Sequence, residues 1–447
     1  MNRFYFIFLA SLALVTSSQG ASTNNDATYK KLETFSKVLG YIQDHYIENI
    51  STNQLVDDAL KGITSSLDPH TTYLPPDLYK QMKVDTSGEF GGVGIEIGYN
   101  AEKELVVITP TEDGPAIKQG ILPGDRILAI DGKSTANWTL METVKKVRGA
   151  RGTIVRMMFQ HKDDPKAFEV VLKREVMHIQ SVEYKMLGDG IGYIQLKSFQ
   201  EKTDQEVERA FGKLQAQATK SDGKLKGLIL DLRNDPGGLL DQAVSVTDLF
   251  VEQGVIVSTR GRDNVLQGEA KAQVPGTLPY VPMVTLINEG TASAAEIVAG
   301  ALQDLGRSPL LGTPSFGKGS VQNIIDLEDG SALKITIARY FTPKGRPIQN
   351  VGNQPDIYVS SAIPMFEEVD AVREKDLQNR IETMDENGTK KQKDKAGKND
   401  PPKIVDTQLK TAQEYLKSVI SYPKKASSAF LEPGTLKKSR LYFFGIS

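Results

Sequence analysis

Hydrophobic positions along this chain fall into distinct patterns, and each predicts a different kind of element. Between Tyr29 and Ile63 the residues Leu32, Phe35, Val38, Leu39, Ile42, Tyr46, Leu55, Ala59 and Leu60 recur at helical spacing. That stretch follows a polar one, Ser22 to Thr28, and runs out in the turn-forming segment Leu67-Asp68-Pro69-His70-Thr71-Thr72-Tyr73. Farther on, short apolar runs at Ile191–Leu196, Leu228–Leu232 and Val284–Ile287 are separated by helical stretches such as Asp204–Leu214 and Leu239–Phe250. Strands alternating with helices predict an α/β core. Ser320–Asp326 and Ala332–Phe341 alternate as strands do. Thr383 to Pro402 is charged and almost free of large apolar residues, the composition of a disordered linker. Leu409, Ala412, Tyr415, Leu416, Val419 and Ile420 then mark an amphipathic helix, which either packs on the core or mediates dimerisation.

Candidate chemistry concentrates in two glycine-rich segments. Asn288-Glu289-Gly290-Thr291-Ala292-Ser293-Ala294-Ala295-Glu296 precedes an apolar run at helical spacing, which puts Ser293 near a helix N-terminus, where free N–H groups favour negative charge. Phe316-Gly317-Lys318-Gly319-Ser320-Val321-Gln322 supplies a lysine. A serine hydroxyl needs a base to become a nucleophile, and a lysine serves only when neutral, which requires desolvation. Alone, Ser293-x-x-Glu296 reads as a helix capping box and Lys318 as a surface charge; the joint pattern favours a catalytic pair. Gln322 shares a strand face with Lys318 and is placed to hold the amine. Gly312 to Gly319 falls short of a phosphate-binding loop, because strand-like sequence rather than a helix follows Lys318. Ser331-Ala332-Leu333-Lys334 follows a turn and has no Lys-Thr-Gly partner.

These motifs resemble the carboxy-terminal processing peptidases, tail-specific Ser/Lys endoproteases that carry a PDZ domain. The resemblance spans roughly His45 to Asp376 and includes the spacing between Ser293 and Lys318. It implies Ser293 as nucleophile, Lys318 as general base and Gln322 as the residue that orients the lysine. It also implies a crotonase/Clp-like α/β protease core with an inserted PDZ domain and helical N- and C-terminal regions. Thr291 stands where the family more often has Ser, and Asn353 replaces a usually apolar residue in the closing motif. Acyl chemistry further needs two backbone N–H donors for the oxyanion. Ala294, after the nucleophile, is one. The other comes from Asn234-Asp235-Pro236-Gly237-Gly238, at the exit of the Gly227–Arg233 strand, and is either Gly237 or Gly238. Glu296 is a supporting candidate whose capping role competes. Asp304, near Arg307, reads as one half of a helix-end charge pair.

From about Gly88 to Arg174 the chain resembles a PDZ domain. Gly92, Val93, Gly94 and Ile95 match its carboxylate-binding loop, and Thr139–Val147 its groove helix. Such a domain takes an extended peptide as an added strand and holds its terminal carboxylate on backbone amides. The expected partners are therefore protein or peptide substrates with apolar C-termini. A homodimer and an adaptor or activator protein are further partners consistent with this reading.

Composition narrows the picture. Among 447 residues, 54 basic and 56 acidic side chains nearly balance, which carries no nucleic-acid signature. The absence of cysteine removes thiol catalysis, disulfides and thiolate metal sites. The reading calls for no metal and no cofactor. Met1-Asn2-Arg3, the apolar Phe4 to Val15 and the small residues ending at Gly20 read as a secretory signal peptide. Its apolar stretch is shorter than the ~20 residues of a spanning helix, so no stable membrane span is expected after cleavage; a retained segment would leave the protein membrane-associated. Export follows, to the periplasm in a Gram-negative bacterium. The expected layout is a signal peptide (1–20), an N-terminal helical region (28–85), a PDZ domain (88–176) and a Ser/Lys protease core (177–360). A core-associated helix (361–382), a disordered linker (383–402) and a C-terminal helical region (403–447) complete it. The predicted function is an exported serine endopeptidase acting through an acyl-enzyme; the alternative is a non-cleaving PDZ adaptor or chaperone of extracytoplasmic proteins.

Overall fold

The computed structural model describes residues 22–162, 164–221, 223–360 and 406–421. The expected signal peptide, the 361–382 helix and the 383–402 linker lie outside these residues. The chain divides into two units, one of residues 1–76 with 324–335 and one of residues 77–323 with 336–447.

In the first unit the long periodic stretch forms two helices rather than one, Ser22–His45 and Thr52–Ser65. The break falls at the polar Asn49-Ile50-Ser51 step, where Ser51 is extended (φ −71°, ψ 130°) as the N-cap of the second helix. Ser22 to Thr28 is helical too, so the polar residues there belong to the first helix and not to a lead-in. In the turn that ends the unit's helices, the Asp68 carboxylate accepts the N–H groups of His70 and Thr71 at 2.8 and 2.9 Å. A short strand, Thr72–Leu74, then pairs antiparallel with Ala332 to Lys334.

The second unit holds two cores. In the smaller, strands Ile95–Tyr99, Leu105–Pro110, Arg126–Ile130, Ile154–Gln160 and Ala167–Lys173 form an antiparallel sheet in that order. Val107, Ile121, Ile127, Val155, Met157 and Phe159 fill its interior. Helix Leu140–Val147 starts from a Thr139–Glu142 capping box. It ends on the guanidinium of Arg174, which donates to the carbonyls of Lys146 and Val147.

The larger core is a six-stranded sheet ordered Val182–Met186, Ile191–Leu196, Gly227–Asp231, Met283–Ile287, Leu310–Gly312 and Ile357–Tyr358. All neighbours are parallel except the first pair. Gly227–Asp231 and Met283–Ile287 are buried at every position, as expected for parallel strands covered on both faces. The pleat sorts their side chains by period two. Leu228, Leu230 and Leu232 join a cluster with helices Thr203–Ser221, Leu240–Asp248 and Ala294–Asp304, whereas Ile229, Val284 and Leu286 face helix Thr407–Ser421. The C-terminal helix thus packs on the core, with Ala412 and Leu416 fully buried. Its approach is fixed by charge: Arg233 pairs with the buried Asp231 at 2.6 Å and with Asp406 at 2.8 Å.

The parallel order has one consequence for chemistry. Strands Gly227–Asp231, Met283–Ile287 and Leu310–Gly312 are adjacent and point the same way, so the loops that leave them emerge at one edge of the sheet. These loops carry Asp235 to Gly238, Asn288 to Ser293 and Thr313 to Lys318.

Candidate active site

Hydrogen bonds stitch the three loops together. Asn234 and Asn288 exchange two: the Asn234 N–H donates to the Asn288 Oδ1, and the Asn288 amide donates to the Asn234 Oδ1, both at 2.9 Å. Thr291, buried, donates its hydroxyl to the Leu232 carbonyl at 2.8 Å and accepts the Asn288 N–H at 3.0 Å. The Ala292 N–H donates to the Asp235 carbonyl at 2.9 Å, and the Phe316 N–H to the Thr291 carbonyl at 3.0 Å.

Ser293 sits at the head of helix Ala294–Asp304 with φ 57° and ψ −117°. For a residue with a Cβ that conformation costs roughly 1–3 kcal/mol and persists only where the surroundings impose it. Here the surroundings are Glu296. Its fully buried carboxylate accepts four hydrogen bonds: Ser315 Oγ at 2.6 Å and Gly317 N at 2.7 Å on one oxygen, Lys318 N at 2.8 Å and Ser293 N at 2.9 Å on the other. One carboxylate oxygen therefore joins the backbones of Ser293 and Lys318. Burial pushes the Glu296 carboxyl up from its ordinary value, against the pull of those four donors. The Glu296 carbonyl in turn accepts the side-chain amide of the buried Asn353 at 2.7 Å, and the Asn353 N–H donates to Ser315 Oγ at 2.7 Å. The polar residue in the closing segment is thus packed against the helix that Ser293 heads.

Lys318 is half-buried. Strand Ser320–Asp326 follows it, with no helix of the kind a phosphate-binding loop would open. Gln322 lies on that strand, and its amide nitrogen donates to Ser320 Oγ at 2.8 Å. Tyr340, which the sequence pattern did not single out, stands at the centre of the site. Its hydroxyl meets the Ser293 side chain and donates to the Lys318 carbonyl, and burial pushes its phenol well above the ordinary range. Its signal in the sequence was weak, a polar-tipped aromatic at an inward position of the Ala332–Phe341 strand.

The two candidate glycines differ. Gly237 (φ 95°) packs so closely that a Cβ there would lie 2.8 Å from both Ser293 Cβ and Ala294 N. Its N–H donates to Asp235 Oδ1 at 2.8 Å. Gly238 is bridged to Phe199 by its neighbours' groups, Phe199 N to the Gly237 carbonyl and Leu239 N to the Phe199 carbonyl, and its own N–H has no acceptor among the described residues. The Ala294 N–H likewise has none among them. Asp304 and Arg307 do not pair, contrary to the expectation from their spacing. Asp304 binds Arg346 at 2.6 Å, and Arg307 turns away to donate to the Phe250 carbonyl and cover the Tyr280 ring, because side-chain direction on the helix end outweighs proximity along the chain.

In the smaller core, the carbonyls of Val93 and Gly94 are tied back to the N–H groups of Ala116 and Thr111 at 3.0 and 2.9 Å. Gly94 takes φ 72° to make that turn. Ile95–Tyr99 pairs on one side only among the described residues, with Leu105–Pro110, so its other edge is open to an added strand.

Comparison with known proteins bears on this arrangement. Residues 190–359 match the Peptidase family S41 model and residues 81–158 the PDZ domain model. A carboxy-terminal-processing protease of Bartonella bacilliformis is 42% identical over 80% of this chain and 82% of its own length. The chain belongs to the carboxy-terminal processing protease family. The family member from Bacillus subtilis, CtpA, is 32% identical over 78% of this chain and 73% of its own. Among solved structures, a photosystem II D1 C-terminal processing protease is 30% identical, covering 76% of this chain and 88% of that one, with a TM-score of 0.42. This carboxy-terminal processing protease is accordingly a serine-type peptidase with an S41 core, a PDZ domain and peptide substrates.

Proposed function

We propose that this protease cleaves peptide bonds with a Ser293/Lys318 dyad and selects its substrates by their C-termini. The observation that carries the reading is the Glu296 carboxylate, which holds the backbones of both residues on one oxygen, together with the N–H groups of Ala294 and Gly238, which lack acceptors among the described residues. In the proposed reaction the neutral Lys318 amine takes the Ser293 proton as Oγ attacks the scissile carbonyl carbon. The Ala294 and Gly238 N–H groups receive the oxyanion. Lys318 then gives its proton to the leaving amine, and water releases the acyl group by the reverse sequence. Gln322, whose amide nitrogen donates to Ser320 Oγ, has its carbonyl oxygen left to accept from the lysine amine in this reading. Activity rises with pH along one limb as Lys318 loses its proton.

A fluorophosphonate probe tests the nucleophile. The expected result is a single stoichiometric adduct on Ser293, found by peptide mass mapping, together with loss of cleavage. Peptide binding with neither adduct nor cleavage would favour a non-cleaving adaptor.

Substrate selection follows from the PDZ domain. Amidating the C-terminus of an apolar-ended peptide removes the charge that the Val93 and Gly94 amides would hold. A fall in kcat/KM of about tenfold or more is expected, the scale of a charge-assisted hydrogen bond, with an internal-loop substrate unaffected. Export is part of the proposal and rests on residues 1–20 of the sequence. Among the described residues no helix is long and apolar enough to cross a membrane. The mature N-terminus, read by mass spectrometry from cell fractions, tests it.

A further inference from the structure

Asp235 lies in the oxyanion loop, and the reaction as drawn gives it no part. Its side chain is fully buried. Oδ1 accepts the Gly237 N–H at 2.8 Å, and Oδ2 has no hydrogen-bond partner among the described residues. Its carbonyl takes the N–H of Ala292, the residue before Ser293, and so ties the loop to that segment. The ionisable groups on the segments around it include Asp231 and Arg233 before it, Asp241 on the helix that follows its loop, Glu289 and Glu296 on either side of Ser293, Lys318, and Tyr340. Arg233 is committed to Asp231 and Asp406, Glu289 to Thr313, and Glu296 to its four donors. Burial pushes the Asp235 carboxyl up to about 8, against the opposing pull of the Gly237 N–H.

A carboxylate in that position would be a buried charge with one oxygen unsatisfied, which is costly. A neutral carboxyl avoids most of that cost. It can still accept from Gly237, whose N–H is then occupied, while that of Gly238 has no acceptor among the described residues. We propose that Asp235 is a protonated positioning residue of the oxyanion loop, whose ionisation at alkaline pH shuts catalysis down by setting a second negative charge beside the oxyanion. The inference rests on the Ser293 mechanism proposed above. Its sign is definite: beyond the rising limb set by Lys318, activity falls as the pH rises through the ionisation of Asp235.

Cleavage rates of wild type, Asp235→Asn and Ser293→Ala between pH 5 and 10 test it. Asparagine keeps an oxygen acceptor for the Gly237 N–H and cannot ionise. In wild type kcat is expected to fall about tenfold per pH unit above about 8 at steady KM, the slope of a single essential proton; in Asp235→Asn that falling limb should vanish. An unchanged limb in the variant overturns the proposal, as does the absence of any falling limb in wild type. Cleavage by Ser293→Ala would instead overturn the catalytic reading. A dead Ser293→Ala beside an Asp235→Asn that keeps the limb removes only the role of Asp235.

A thermal measurement needs no activity. Because the folded-state value lies above the unfolded one, wild type holds a proton on folding between about pH 4 and 8, and its stability declines across that window. Its Tm relative to Asp235→Asn should drop from pH 5 to pH 8 and then level. A constant difference would also count against a protonated Asp235.

Discussion

Lys318→Ala is expected to abolish cleavage while leaving the fold intact. The hydrogen bond that Lys318 contributes to the Glu296 carboxylate comes from its backbone N–H, which alanine retains. What alanine lacks is the amine that accepts the Ser293 proton in the proposed dyad. A positioned general base contributes about 10²–10⁴-fold, and a base that also reprotonates the leaving group acts in two steps, so a loss near 10⁴-fold in kcat is anticipated. Residues that act as a unit are not additive. The Ser293→Ala/Lys318→Ala double variant should therefore be no slower than Ser293→Ala alone. The measurement is cleavage of an unfolded protein with an apolar C-terminus, with circular dichroism to confirm folding. Equal cleavage by wild type and Lys318→Ala would overturn the dyad, and equal residual cleavage by Ser293→Ala would overturn the nucleophile.

The second large effect is at Glu296, where activity and stability should fall together. Truncation to alanine removes the acceptor of three backbone N–H groups and of the Ser315 hydroxyl, all in the buried site. An orphaned buried donor costs about 1–3 kcal/mol, so Glu296→Ala should lose on the order of 4 kcal/mol or more of unfolding free energy. Glu296→Gln keeps the size but turns an NH2 group toward N–H donors, so it should restore little. Catalysis should fall at least 100-fold, because the φ 57° conformation of Ser293 is held by the same carboxylate. Urea unfolding with a midpoint shifted at constant m reports the first quantity. A Glu296→Ala protein within 1 kcal/mol of wild type would show that water replaces the carboxylate and that Glu296 is an ordinary helix cap.

The family resemblance and the strand pattern made Ser293 and Lys318 legible as the proposed reacting pair, but most of the groups around them were not. Ser293 and Lys318 stand in low-bulk motifs whose spacing is distinctive. Glu296, read as a cap or a supporting residue, caps the Ser293 N–H and also accepts from Ser315, Gly317 and Lys318. Tyr340 escaped notice, and Asn353 was visible only as a departure in the closing motif, because an inward tyrosine in a strand and a polar residue in a closing turn acquire meaning only from what lies opposite them. The same holds for Asp304, whose partner is Arg346, some forty residues away along the chain, and not the nearby Arg307.

Local physics reached a definite limit here. The order of polar and apolar residues is enough to specify that buried strands alternate with amphipathic helices, that glycines mark the turns between them, and that a hydroxyl stands at a helix head. Those properties depend on a residue and its near neighbours. Tertiary packing decided which strands lie side by side. Because Gly227–Asp231, Met283–Ile287 and Leu310–Gly312 are adjacent and parallel, three loops distant in sequence share one edge. Only there does Asp235 take the Gly237 N–H and leave that of Gly238 without an acceptor among the described residues, a choice the two adjacent glycines could not express in sequence. Hydrogen bonds reach about 3 Å, so which groups meet within that distance is a property of the assembled sheet.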